Sequence, residues 1–181
     1  MANTSNVAAG KPKIGGAVSI AATSATLPTD ATTALTGFTN LGYISEDGLT
    51  QTITRDSEKI KAWGGDTVMT TQTDFGEEFS FTLLEVLSVD VKKAIYGDDA
   101  VTGELTTGIT AKVNSTELKE HAWIFDMVQN GATVRIVIPN GKVSEVGEIT
   151  YQDGEPIGYE LTVTALPDAS GNCSYEYTVK A

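Results

Sequence analysis

The sequence predicts a mainly β protein: an antiparallel β-sandwich or split barrel with one flanking α-helix over about residues 88–96. Three observations lead there. After Phe38, apolar and polar residues alternate with period two over most of the chain. Turn pairs break these runs at Gly64-Gly65, Asn130-Gly131, Asn140-Gly141 and Asp153-Gly154. Only one stretch carries helical spacing. The 181 residues suit one domain with a real core, and no internal repeat or second boundary interrupts them.

Residues 1–37 are rich in Ala, Thr, Ser, Gly and Asn, and only Val18 to Ala22 reads as a strand. Such a composition buries little apolar surface against the entropy of ordering. It predicts an extended N-terminal arm over 1–37, followed by a single β domain over 38–181. Leu41 to Gly97 reads as four short strands and then the helix. Leu49, Gln51, Ile53 and Arg55 alternate with threonines. Asp66 to Thr73 is β-prone through its threonines yet polar on both faces, as befits a strand at an edge or lining a wet space. Phe75, Phe79, Phe81 and Leu83 then share one face, opposite Glu78, Ser80 and Thr82.

Ser88 suits the N-cap of the helix, Asp90 its positive end, Lys92 and Lys93 its later turns, and Gly97 its stop. Leu87, Val91, Ala94 and Ile95 form the stripe that would lie on the core. The second half reads as strands over 121–128, 133–138, 143–151, 157–165 and 173–179. Pro139 and Asn140-Gly141 are expected to end the second of these in a turn.

Composition excludes several function classes. The net charge is −12, from 24 acidic and 12 basic residues, and only two of the basic ones are arginines, Arg55 and Arg135. A nucleic-acid binder needs a basic patch to displace counterions, so gripping DNA or RNA is not expected. Cys173 is the single cysteine and His121 the single histidine. They share no motif, so neither a catalytic thiol nor a zinc site is expected. Glu77 and Glu78 are neighbours in a strand and point to opposite faces, which denies them a shared carboxylate chemistry. No phosphate-cradling glycine motif occurs. No apolar run is long enough to span a membrane, and the N-terminus is too mild for a secretory signal. No cofactor is expected.

The wording of the chain closely resembles the tail tube protein (major tail protein) of long-tailed bacteriophages. The fragments that carry this are Leu41-Gly42-Tyr43-Ile44-Ser45-Glu46-Asp47-Gly48, Lys61-Ala62-Trp63-Gly64-Gly65-Asp66, Ala122-Trp123-Ile124-Phe125-Asp126-Met127 and Ile138-Pro139-Asn140-Gly141-Lys142-Val143. Gly10-Lys11-Pro12-Lys13 and Val146-Gly147-Glu148-Ile149-Thr150-Tyr151 extend the likeness. The resemblance implies a tail-tube-like sandwich, no catalytic site, and six subunits per ring in a stack of rings. Each subunit would give about four strands to an inner barrel. About 24 strands at ~4.8 Å spacing and ~40° tilt give a backbone diameter of ~48 Å, wide enough for hydrated duplex DNA.

On this reading, self-assembly falls to hairpins carrying Ile53, Ile60, Trp63, Gly64, Gly65, Val68 and Met69. Lys11, Pro12 and Lys13 belong to an arm between rings. The lumen wall is expected to be acidic, with candidates Glu46, Asp47, Asp56, Glu58, Asp66, Asp74, Glu77 and Glu78. Alternation says which of these share a face, but not which face looks inward. The partners implied are the chain itself and the tape measure, tail terminator and baseplate proteins. DNA passes without specific binding and no membrane is involved, placing the chain in the virion tail and, during assembly, in the host cytoplasm. The alternative is a β-sandwich binding module, such as a phage adhesin or capsid decoration domain. Its aromatic content of 7%, mostly at alternating core positions, gives such a module little exposed surface to bind with.

Overall fold

The structure is a computed structural model and describes residues 2–180. Eleven strands and one α-helix follow in order, with the 3-10 turns Thr4–Asn6 and Asp98–Ala100. The strands are β1 Gly10–Pro12, β2 Val18–Ala22, β3 Thr39–Asn40, β4 Thr50–Lys61, β5 Thr67–Leu83, β6 Val101–Glu104, β7 Gly108–Ala111, β8 His121–Gln129, β9 Ala132–Val146, β10 Tyr159–Leu166 and β11 Tyr175–Lys180. The helix α1 is Val89–Tyr96.

Nine strands form one antiparallel sheet in the order β3-β2-β8-β9-β10-β5-β4, with β1 on β8 and β11 on β9. The sheet folds over itself at β9, whose first half pairs with β8 and β11 and whose second half pairs with β10. Two layers result, and aromatic rings lock them together. Phe79 of β5 stacks on Phe125 of β8 at 5.8 Å between centroids, and Phe81 meets Phe125 and Trp123 edge-on at 5.2 and 5.8 Å. The sheet does not close into a barrel, so the molecule is a sandwich with one flanking helix.

Pro139 does not end a strand. It lies where β9 changes its partner from β11, last paired at Val137, to β10, first paired at Asn140. The register against β8 also shifts there, between His121 and Trp123. A missing N–H is tolerated at such an irregularity, so the two expected strands are one. Gly141 serves packing rather than a turn: a Cβ there would lie 2.4 Å from Trp123 Cδ1, and its carbonyl accepts from Trp123 Nε1 at 3.2 Å. The expected turn at Asn130-Gly131 does form, with φ of 48° and 81°.

The expected four short strands before α1 are two long ones, β4 and β5, joined through Ala62–Asp66. Ala62 N–H donates to Asp66 O and Gly65 N–H to Ala62 O. Gly64 and Gly65 take φ of 113° and 96°, the region glycine enters without strain. Asp66 to Thr73 is the distal half of β5, not a separate strand. In α1, Ser88 Oγ accepts from Val91 N and Gly97 N–H donates to Lys93 O. Val91, Ala94 and Ile95 are buried, whereas Leu87 precedes the helix and is exposed. The sequence reading missed β6 and β7, a small separate hairpin of glycine- and threonine-rich chain.

Within residues 1–37 two parts differ. β2 is a full member of the sheet, paired with His121–Phe125, and Ala17, Val18, Ile20 and Ala21 are buried. The loop after it is held by Arg135, whose side chain is buried. The Arg135 guanidinium donates to both Asp126 oxygens at 2.6 and 2.9 Å, to Thr33 O at 2.7 Å and to Asp30 O at 3.2 Å. β1, by contrast, is exposed and rests on the end of β8 over only three residue pairs.

Candidate self-assembly hairpin

β4 and β5 pair from Thr50↔Ser80 out to Lys61↔Thr67. A twelve-residue strand reaches about 40 Å, so the hairpin runs well beyond the core. Every residue of β4 and the first nine of β5 are exposed. Its edges are open as well. β4 ends the sheet, and β10 pairs with β5 only from Glu78 to Leu83, which leaves the other edge of Thr67–Glu77 without a ladder among the described residues. Two long open edges on one hairpin are a template for strand addition.

The register assigns the two faces. Phe79, Phe81 and Leu83 point to the core, so Gln51, Ile53, Arg55, Phe75 and Glu77 lie on the same side. Thr73 is an extra residue between the pairs Asp56↔Asp74 and Ser57↔Gln72, and this bulge reverses the alternation of β5 beyond it. Gln72 and Thr70 therefore join Ser57 and Lys59 on the core side. Arg55 confirms the assignment: its guanidinium carbon is 4.6 Å from the Phe75 ring centroid and its Nη1 donates to Gln72 Oε1 at 3.4 Å.

The opposite face carries Thr50, Thr52, Thr54, Asp56, Glu58 and Ile60 from β4, with Met69, Thr71, Asp74, Glu78 and Ser80 from β5. It continues onto β10, where Thr164 donates to Glu78 and Ser80 meets Thr162 at 3.1 Å. Four of the expected lumen acids, Asp56, Glu58, Asp74 and Glu78, therefore share one exposed face without a lysine or arginine from either strand.

The remaining expected residues fall elsewhere. Asp66, Trp63, Gly64 and Gly65 form the hairpin tip, and Val68 is the extra residue of a second bulge near it. Glu46 and Asp47 lie in the turn before β4. Glu77 leaves the acidic face altogether. It is buried on the core side at the hairpin root and accepts from Gln51 Nε2 at 2.6 Å and Ser174 Oγ at 2.8 Å. Lys11 and Pro12 are in β1, and Lys13 Nζ is 3.3 Å from Asp126, the acid that also holds Arg135. The Arg135–Asp126 pair went unread in the sequence; a lone arginine in an apolar strand opposite the aspartate of another is the signal that was there.

Elsewhere the chemistry is sparse. Burial, then the charges of Glu77 and Asp168, push the Cys173 thiol up, away from the reactive thiolate. His121 sits with Nδ1 at 3.2 Å from Lys119 O and Nε2 at 3.4 Å from Asp98. Among the described residues no group of three or more His, Cys, Asp or Glu side chains could hold a metal ion, and no helix is long and apolar enough to cross a membrane.

A family model described as phage tail tube protein matches residues 2–180, nearly the whole chain. No curated protein matches the sequence.

Proposed function

We propose that this chain, which belongs to the phage tail tube protein family, closes hexameric rings through its β4–β5 hairpin and that the rings stack into the hollow tube of the tail. Membership makes it a structural protein of the phage tail; ring size, stacking and DNA passage are the proposal. One observation carries it. A hairpin exposed on both faces and open on both edges has no role inside its own subunit. The β4 edge of one copy fits against the open Thr67–Glu77 edge of the next. That contact is heterologous, and a rotation of one sixth of a turn between copies would close it into the proposed six-membered ring rather than an open filament. At the hairpin root, β10 and the second half of β9 continue the same sheet beyond β5.

The threonine- and acid-bearing face is the lumen wall on this reading. Its carboxylates meet DNA as like charge, so phosphates find no partner and the duplex slides, with repulsion confined to about 8 Å at physiological salt. The exposed β1 segment with Lys11 and Pro12, held to β8 by three residue pairs and followed by Lys13 beside Asp126, is the part of the arm that would contact an adjacent ring. The tape measure, tail terminator and baseplate proteins are the further partners, met in the host cytoplasm before the virion is complete. Electron microscopy of the purified chain tests the reading: rings or hollow tubes are expected, and monodisperse particles of 19.1 kDa at all concentrations would overturn it.

A further inference from the structure

We infer that the core-side face of the hairpin, centred on the stack of Arg55 over Phe75, is a second contact surface, and that it docks on the body of another copy of this chain. This rests on the assembly reading above but concerns a face of the hairpin, not its edges.

The two faces differ in kind. Directly behind this stretch lie Thr52, Thr54, Asp56 and Asp74, groups that gain nothing from losing water; the exposed apolar pair of that face, Ile60 and Met69, sits apart from them near the hairpin tip. On the core side, beyond the point where the core ends, Ile53 and Phe75 stay 55% and 38% exposed. Arg55 lies flat on Phe75, and Lys59 follows along the same side. Neither cation is in an ion pair among the described residues. An arginine stacked on an aromatic ring beside an aliphatic side chain is the composition of an interface centre.

Two features name the occupant. Twenty-four acids against twelve bases make another copy of this chain an anionic surface, the complement of two unpaired cations. The same strands offer their edges to a neighbour, so a subunit that adds a strand at the edge also brings its body alongside this face. A nucleic acid fits poorly, since two aliphatic or aromatic groups would be buried for two phosphate contacts.

The test compares faces. Arg55→Ser with Phe75→Ser removes the stack, and Ile53→Ser with Lys59→Ser removes its flanks. Thr52→Ser with Asp56→Ser alters the other face. All six side chains are exposed, and thermal melting of each variant should match the wild type. Sedimentation against concentration should show the core-side variants needing at least tenfold more protein to assemble, while the Thr52/Asp56 variant assembles as the wild type does. Raising salt should weaken wild-type assembly and leave the Arg55/Phe75 variant little changed. Core-side variants that assemble at the wild-type concentration, or an equal loss from the Thr52/Asp56 variant, would overturn the inference and leave the ring reading standing. A wild type that never assembles sinks both.

Discussion

From Thr67 to Phe75 every residue of β5 is exposed, and from Glu77 to Leu83 every odd-numbered one is buried. One continuous strand thus lives in two environments, with Gly76 between them. In the inner half, Phe79 and Phe81 pack against β8 and the ladder is shared with β10 and β4. In the outer half, only β4 pairs, and no layer covers either face. The inner half holds the subunit together. The outer half holds nothing of the subunit, and a two-stranded ribbon of this kind is marginal without a partner. The difference teaches that β-propensity and burial are separable along a single strand: both serve folding at one end, while at the other β-propensity stands without burial, the end to which the proposed function assigns assembly.

The comparison breaks most sharply if the halves are separated. Joining Asp56 to Asp74 through Asn-Gly removes the distal hairpin and supplies the turn residues a short loop requires. Assembly should vanish entirely in microscopy and sedimentation, while the melting temperature stays within a few degrees of the wild type. A large loss of stability would show that the distal hairpin belongs to the fold.

The reverse perturbation follows. Phe79→Ala deletes the ring that stacks on Phe125, and a buried Phe→Ala change costs about 3–5 kcal/mol. Chemical denaturation should register that loss, whereas Ile53→Ala, two residues beyond the partner of Phe79 on the same face, should change stability by less than about 0.5 kcal/mol. Close to Phe79→Ala in size stands Asp126→Ala. It leaves the buried Arg135 guanidinium without its carboxylate, a change of about 3 kcal/mol or more. The loop over Asp30 to Thr33 should loosen with it, visible as faster amide exchange there.

What the sequence made legible follows the same division. Local signals were sufficient where one residue decides its own geometry: Ser88 and Gly97 bounded α1, and Asn130-Gly131 turned the chain. Period-two alternation found the core strands, because burial on one side is written residue by residue. Three things were not local. Pro139 and Asn140-Gly141 looked like a stop until β9 was seen changing partners there. The bulge at Thr73 turns the second half of β5 over, and only the register with β4 reveals it. Alternation turned Glu77 coreward, away from Glu78, but its partners Gln51 and Ser174, far away in sequence, could not be read there. The candidate site was legible as a polar, two-sided strand, but the face-sharing that alternation gave its acids holds only up to the bulge at Thr73.

That face allows a subtler test of the outer half. Asp56→Lys with Asp74→Lys keeps the hairpin and changes the charge of its exposed acidic side. Assembly should persist. DNA release from tails carrying the variant should slow, and added salt should relieve the delay, since each new lysine–phosphate contact weakens as counterion concentration rises. Unchanged release would place these residues away from the lumen.

The smallest expected effect concerns acid in the body. The hydroxyl of Thr33, then the Thr33 and Thr32 amides, hold the Asp30 carboxyl well below the usual carboxylate range. A folded-state value lower than the unfolded one means stability that is present above the unfolded pKa, about 3.9, and is lost as pH falls toward the folded value. Asp30 is solvent-exposed, so the contribution is modest, but its neighbours matter: Asp30 and Thr33 lend their carbonyls to Arg135. Asp30→Asn should therefore lower the melting temperature slightly at about pH 7, and the gap to the wild type should close as the pH approaches about 2. An offset that stays constant across that range would mean the charge of Asp30 is irrelevant and that the loop is held through its backbone alone. The body would then keep its shape in acid without this carboxylate, and the contrast with the hairpin would rest on packing and the Arg135 clamp.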